Sequence, residues 1–214
     1  VRAISEIKNL VLFQKFLKLC AGRIGRILDY SSLSSEVGVS VNTITHWLSV
    51  LEASFLIFRL TPYYENLGKR VIKSPKLYFT DVGLAAYLLE IETLSQLERD
   101  PLRGHLFENL VVMELVKNRI NQGLDPNLYY FRDSNQNEVD VVFRRGNQLV
   151  PVEIKSAKTF NKSFLKGIKY FKNLLGDRVE AAYLIYAGEA EQALGDVKLI
   201  NYKNLGEVFA SESA

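Results

Sequence analysis

The sequence predicts a two-domain α/β protein, with a helical domain over residues 1–95 and an α/β domain with a central mixed sheet over residues 96–214. Apolar residues recur at helical spacing before residue 51. Two alternating runs around a glycine-containing turn at residues 145–147 indicate a β-hairpin. A polar stretch at residues 92–101 divides the two halves, which places the domain boundary near residue 95.

Composition limits the classes of protein and site. The chain is 48% hydrophobic and 24% charged, which is ordinary for a globular protein. The single cysteine, Cys20, excludes an intramolecular disulfide, and the two histidines, His46 and His105, are too far apart in sequence to favour a zinc site. Neither a signal peptide nor an apolar run of about 18 residues is found, so we expect a cytoplasmic protein without a membrane span. The start at Val1, directly within an amphipathic pattern, indicates a fragment of a longer protein.

The first domain has the element order of a winged helix. Residues 4–20 predict a core helix that ends at Gly22 and Gly25. Residues 31–51 predict a helix-turn-helix: Ser31-Ser32 caps a helix that runs to residue 37, Gly38 makes the turn, and Ser40 caps a second helix over residues 41–51. Strands over residues 55–60 and 76–80 flank a basic excursion, and a short helix follows at residues 81–90.

The winged helix leaves two functions open, DNA binding and protein docking. Its second helix has polar outward residues without Arg or Lys, which is weak for DNA reading; these residues are Asn42, Thr43, Thr45, His46 and Ser49. The hairpin is more basic, with Arg59, Lys69, Arg70, Lys73 and Lys76. We therefore expect any DNA contact of this domain at Lys69, Arg70 and Lys73, while docking remains an equal alternative.

The second domain begins with a long helix over residues 104–120, which carries Glu108 and Glu114. A strand at residues 128–132, the hairpin, an amphipathic helix at residues 161–175, strands at residues 181–187 and 197–202, and a closing segment at residues 205–209 follow. From residue 144 to residue 178, nine basic residues stand against two acidic ones, so we expect an anionic partner there. Lys158 and Lys162 are the candidate phosphate contacts, although a row of lysines on a helix is often only a solvated face.

Charges interrupt the apolar hairpin strands in a pattern that suggests a metal site. Asp140 breaks the first strand, and Glu153 and Lys155 share one face of the second. Two carboxylates on adjacent strands form an oxygen-rich site that suits Mg²⁺ or Mn²⁺, and a lysine beside them can hold a water or a phosphoryl oxygen. A buried ion-pair cluster without chemistry is the alternative.

The spacing Asp140…Glu153-Ile154-Lys155 resembles the motif of the PD-(D/E)xK nuclease-like superfamily. The resemblance implies a metal held by Asp140, Glu153 and the Ile154 carbonyl, with Glu108 from the preceding helix completing the set and Lys155 acting on the developing charge. It predicts a metal-dependent endonuclease acting on DNA. The alternative is a non-catalytic module that binds nucleic acid or a protein.

At the scale of the whole chain, five segments in order are similar to the DUF4143-type C-terminal region of prokaryotic AAA-type ATPases. They are the winged helix, KSPKLYFTDVGL, GHLFENLVVMEL, LYYFR…NEVDVVF and VPVEIKSAK. The resemblance implies a P-loop ATPase domain in full-length members. This chain lacks the motif G-x-x-x-x-G-K-[ST], so ATP is expected only in the full-length protein and no ATPase activity from this chain. The sequence leaves the oligomeric state open.

Overall fold

A computed structural model of the protein describes residues 9–64 and 72–209. These residues form an α+β fold with seven α-helices, a two-stranded sheet and a six-stranded mixed sheet, which confirms the predicted fold class. Two compact units are present, one within Val1–Leu60 and Ser74–Asn109 and the other within Thr61–Lys73 and Leu110–Ala214. The domain boundary near residue 95 stays a prediction. No described helix is long and apolar enough to cross a membrane.

The first unit contains α1 (Leu10–Ala21), α2 (Tyr30–Val37), α3 (Val41–Ala53), β1 (Ile57–Leu60), β2 (Lys76–Phe79), α4 (Val82–Leu88) and α5 (Leu94–Arg99). Strands β1 and β2 pair antiparallel. Around Trp47 the core is aromatic, with Phe13 and Phe16 within 5.3 Å between ring centroids. Ser40 caps α3 as predicted, and Gly38 ends α2 with a φ of 88°, a conformation that glycine adopts without a steric penalty.

Two details of the first unit differ from the sequence prediction. Helix α2 begins earlier than Ser31-Ser32, because the Asp29 carboxylate accepts a hydrogen bond from the Ser32 amide and caps the helix. The polar stretch at residues 92–101 contains the helix α5, which is held by a reciprocal capping box between Thr93 and Gln96.

The second unit contains β3 (Leu128–Arg132), β4 (Glu138–Arg145), β5 (Gln148–Lys155), α7 (Lys166–Leu175), β6 (Ala182–Tyr186), β7 (Gln192–Leu194) and β8 (Val197–Asn201). Helix α6 (Arg103–Asn121) runs across the division between the units. The strand order is β3-β4-β5-β6-β8-β7, and β5, β6 and β8 are parallel. The predicted hairpin is therefore in the sheet, with β5 between β4 and β6. Strand β7 was not predicted, since its three residues are mostly exposed and too few to show an alternating pattern.

Helix α7 begins later than the predicted helix at residue 161. A 3-10 turn over Lys162–Leu165 precedes it, and the Asn161 side chain accepts a hydrogen bond from the Ser163 amide at the start of that turn. Ile168 and Phe171 are buried on the inner side of α7. The turn and the start of α7 lie beside the ends of β4 and β5 that carry the candidate residues.

Candidate functional site

The site begins where the backbone pairing of the hairpin ends. The β4–β5 register runs from Arg145–Gln148 to Val141–Val152. Beyond that pair, a side-chain hydrogen bond replaces the backbone hydrogen bonds between the strands: Asp140 Oδ2 accepts a hydrogen bond from the Ile154 amide at 2.8 Å. Asp140 is thereby fixed at the edge of the last pair, facing the backbone of β5.

The Lys155 ammonium group joins the two carboxylates. Its Nζ atom lies 2.7 Å from Glu153 Oε2 and 3.2 Å from Asp140 Oδ2. Glu153 is 5% exposed and Asp140 8%, while the Lys155 side chain is 31% exposed. The structure thus brings together three of the predicted site residues around one ammonium group.

Burial and mutual repulsion make the charged form of Glu153 costly. Burial raises the pKa of Glu153 well above its ordinary value, and the neighbouring Asp140 charge raises it further, against the lowering effect of Lys155. Burial alone would lower the pKa of Lys155, but the charges and hydrogen bonds of Asp140 and Glu153 outweigh it and raise that pKa. The pair of carboxylates is therefore short of positive charge.

Gly167, near the start of α7, packs directly against the site. A Cβ atom at this position would lie 2.0 Å from Glu153 Oε1 and 2.2 Å from the Glu138 carbonyl oxygen. No other residue type fits there without a shift of the helix or of the glutamate. The glycine therefore allows α7 to form one wall of the site.

An open cleft of about 250 Å³ leads to the three side chains. Its lining residues come from the end of the hairpin, the preceding turn and the start of α7: Gln136, Asn137, Glu138, Asp140, Glu153, Lys155, Ser163, Phe164, Lys166 and Gly167. Asp133 holds the turn in place, since its carboxylate accepts hydrogen bonds from the Asn135 and Asn137 amides and from Tyr170 OH on α7. Two walls of the cleft are thus tied together.

Glu108 lies in the first unit and has its own partners there. Glu108 Oε1 accepts hydrogen bonds from Lys76 Nζ at 3.0 Å and Tyr78 OH at 2.6 Å. Burial alone would raise the pKa of Glu108, but the Lys76 charge, the nearby His105 side chain and hydrogen bonds from Tyr78 and Lys76 lower it to about 2. Its predicted part as a fourth site residue stays a prediction.

The basic residues fall into three groups. Lys158, Lys162 and Lys73 are exposed, whereas Lys69 and Arg70 lie outside the described residues. Two further basic residues expected on the hairpin surface have structural roles instead. Lys76 is 2% exposed and pairs with Glu108, and Arg59 pairs with Glu52. Counting Lys76 as a surface cation was wrong, because its side chain points into the first unit.

Within residues 9–64 and 72–209, no group of three or more His, Cys, Asp or Glu side chains is arranged to hold a metal.

The sequence did not predict three residues of the cleft wall, Ser163, Phe164 and Lys166, or the close approach of Gly167. The helix pattern at residues 161–175 placed them on a helix, but only the packing of α7 against β4 and β5 places them at the site.

Two domain-family models match the two halves of the chain. Residues 1–95 match the domain of unknown function DUF8612, and residues 103–205 match the domain of unknown function DUF4143. The predicted DUF4143 assignment is confirmed for that region.

Two mycobacterial proteins are similar over 174 residues with 30% identity: uncharacterized protein Mb2031c of Mycobacterium bovis and uncharacterized protein Rv2008c of Mycobacterium tuberculosis. The match covers 80% of this chain and 37% of each relative, so the chain spans little more than a third of their length. Among solved structures, protein VC1899 from Vibrio cholerae aligns with 95% of this chain and 56% of its own, at 15% identity and a TM-score of 0.36.

Proposed function

With residues 103–205 matching DUF4143, we propose that the second unit is a nuclease-like domain in which Asp140, Glu153 and Lys155 form a divalent-cation-dependent site for cleaving DNA phosphodiesters. One observation carries the proposal: the Lys155 ammonium lies within hydrogen-bond distance of both carboxylates, at an open cleft. A positive charge and two anionic oxygens at one point are what phosphoryl transfer requires.

The donor set fits Mg²⁺ or Mn²⁺. The carboxylates of Asp140 and Glu153 are hard oxygen ligands. Burial and the neighbouring Asp140 charge raise the pKa of Glu153, and a bound cation would offset both effects on its ionised form. The Ile154 amide points to Asp140, and in an extended strand the carbonyl of a residue lies on the same side as its amide, so that oxygen is the third candidate ligand. Mg²⁺ commonly uses one or two carboxylates and keeps several waters, which suits a site where the described residues offer no group of three His, Cys, Asp or Glu side chains arranged to hold a metal.

Each side chain has a distinct part in the proposed reaction. A bound cation supplies Lewis-acid stabilisation and a more acidic water. Asp140 and Glu153 would hold and orient that cation, and Gly167 leaves Glu153 the space to do so. Lys155 donates hydrogen bonds toward the position where negative charge grows on the phosphoryl oxygens. Glu108 enters as a residue to be tested, because its described partners are Lys76 and Tyr78.

The rest of the proposal concerns the whole protein. The order α2, turn, α3, β1, β2 is that of a winged helix, for which DNA contact near Lys73 and docking to a protein are the two candidate roles. The resemblance to the C-terminal regions of AAA-type ATPases, together with relatives of more than twice this length, supports an ATP-binding half elsewhere in the full protein. That half would position the DNA, so we expect weak activity from this chain alone.

A non-catalytic binding module is the second candidate function. It is favoured by the way Lys155 already forms an ion pair with each of the two carboxylates, as in a structural ion-pair cluster. Under this alternative the cleft binds its partner without a cation, and the acids serve only the packing of α7 against the hairpin.

Nicking of supercoiled plasmid in Mg²⁺ or Mn²⁺ tests the proposal. We expect nicking by the chain and its loss in Asp140→Asn and Glu153→Gln, which remove a ligand charge at nearly constant shape. Lys155→Met should lower the rate by about a hundredfold or more. Asp196→Asn is the matched control, because this exposed acid pairs with Lys172 away from the cleft. Nicking that survives in the Asp140 and Glu153 variants, or none from the unaltered chain with either metal, would favour the binding module.

A further inference from the structure

We propose that the cleft binds an unpaired polynucleotide strand, with its phosphates along the exposed lysines of α7 and one base against Phe164. The inference rests on the proposed function for the end of the cleft that contains Asp140, Glu153 and Lys155, and it adds the class of substrate. Its two halves, a row of cations and an aromatic wall, come from different observations.

The cations follow one another into and along α7. Lys162 lies in the 3-10 turn, Lys166 opens α7, and Lys169 follows three residues later. Lys166 and Lys169 are therefore neighbours on one face of α7, and Lys162 precedes them in the turn. All three are exposed, and no ion pair joins them to an acid in the described parts of the chain. Lys172, the next lysine, differs because it pairs with Asp196.

This arrangement is unfavourable for the isolated helix. Like charges three residues apart on an α-helix, as at Lys166 and Lys169, repel, and a cation in the first turn opposes the positive end of the helix dipole. The first turn of α7 contains no acidic residue that would offset either effect. A polyanion laid on this face removes both penalties, which favours phosphates as the ligand groups.

The row leads into the cleft, where Lys166 and Ser163 are lining residues together with Lys155. A polynucleotide strand whose phosphates lie on Lys162, Lys166 and Lys169 therefore has a phosphodiester at the end of the cleft that contains Asp140 and Glu153. Ser163 adds a hydroxyl donor on the same wall.

The aromatic wall is Phe164, between two members of the lysine row. It is partly buried, packs against the core formed by Leu165, Ile168 and Leu184, and also lines the cleft. The core contact fixes the ring, so little side-chain freedom remains to be lost when a base stacks on it. Bases stack on such rings largely independently of their identity.

An aromatic ring in the wall favours an unpaired strand over a duplex. In a duplex the base faces are covered by their stacked neighbours and only the edges are accessible. An unpaired strand offers both its phosphates and its base faces, which are the two groups that this wall can bind. DNA and RNA strands share this chemistry, and the test separates them.

Fluorescence anisotropy with the full chain in EDTA tests the inference without cleavage. The probes are labelled oligothymidine, oligouridine of the same length, and a DNA duplex of that length. We expect at least one single strand to bind more tightly than the duplex, with affinity that falls as salt rises. Lys166→Ala should make the slope of log affinity against log salt shallower by about 0.7, the contribution of one phosphate contact on a single strand. Lys198→Ala, which removes another exposed lysine from the same unit, should leave it unchanged.

Phe164→Leu keeps apolar packing but removes the ring, and we expect about a five- to hundredfold weaker binding of the single strand. Phe164→Tyr should retain the affinity. If Phe164→Leu loses its folded circular dichroism spectrum, the double variant Lys166→Ala, Lys169→Ala decides, with an expected slope shallower by about 1.4. Tighter duplex binding, or an affinity that is insensitive to the decisive variant, overturns the inference.

The two proposals fail separately. Single-strand binding in EDTA with no nicking in Mg²⁺ or Mn²⁺ would keep this binding surface and reject the nuclease. Nicking that needs Asp140, with no single-strand preference, would keep the nuclease and reject an unpaired strand as its substrate.

Discussion

Replacement of Glu108 by glutamine should destabilise the first unit substantially. Glu108 Oε1 accepts hydrogen bonds from Lys76 and Tyr78, and Lys76 is only 2% exposed. The substitution Glu108→Gln would keep the volume of the side chain and remove its charge, so the buried ammonium would face a neutral amide. We expect this loss because a buried charge without an opposite charge is costly.

The pKa of Glu108 sets the magnitude. It is lowered from 4.5 to about 2, which corresponds to about 3 kcal/mol of stabilisation by the ionised form. Breaking a buried ion pair by removing one partner generally costs about 3–5 kcal/mol, which agrees. Because the folded pKa is below the unfolded one, this stabilisation is complete above about pH 4.5 and is lost as the pH falls toward 2.

Urea unfolding followed by tryptophan fluorescence measures the effect, since Trp47 is the only tryptophan and lies in the core of the first unit. Glu114→Gln is the matched control: Glu114 is on the same helix, its side chain is 46% exposed, and its pairing with Lys117 is worth below about 1 kcal/mol. The structural role would be refuted if Glu108→Gln lowered the free energy of unfolding by less than about 1 kcal/mol. It would also be refuted if stability fell with decreasing pH below 4.5 as steeply in the variant as in the unaltered chain. A loss of nicking without loss of stability would support Glu108 as a fourth site residue.

Two further predictions concern backbone positions. Gly167→Ala should lower stability by roughly 1–3 kcal/mol and weaken Mn²⁺ binding, because its Cβ would lie 2.0 Å from Glu153 Oε1. Thermal unfolding by circular dichroism measures the loss of stability. Gly206→Ala is the control, because a Cβ at that position meets no atom within 4 Å. An unchanged melting temperature in Gly167→Ala would contradict the close packing. Phe55→Gly should raise stability by roughly 0.5–1 kcal/mol. Phe55 is 82% exposed, so little packing is lost, and its φ of 56° is a conformation that glycine adopts without a steric penalty. A loss of stability in urea unfolding would contradict this reasoning.

Local signals in the sequence were sufficient for most elements. The serine cap of α3 and the glycine at the end of α2 act within a few residues, so α2, the turn at Gly38 and α3 could be predicted. The cap of α5 is also local, and the spacing Thr93-x-x-Gln96 could have revealed that helix. The 3-10 turn before α7 depends on how the helix meets the sheet, and the sequence pattern contains no sign of it.

The candidate site was only partly predictable for the same reason. Asp140, Glu153 and Lys155 lie on two strands joined by a short turn, so strand alternation was enough to place them together. The partners of Glu108 lie 30 and 32 residues away in the sequence, and no local pattern distinguishes Lys76 and Tyr78 from Asp140 as its neighbours. The packing of Gly167 against Glu153 likewise depends on the approach of α7 to the sheet.

Mn²⁺ binding tests the proposed cation site at Asp140 and Glu153 by itself, because it does not depend on the nature of the nucleic acid. Electron paramagnetic resonance of free Mn²⁺, titrated with the full chain, counts the bound ions. We predict one bound Mn²⁺ that is lost in Asp140→Asn and in Glu153→Gln and is retained in Asp196→Asn. No bound Mn²⁺, or the same binding in all four proteins, would contradict a cation site between Asp140 and Glu153.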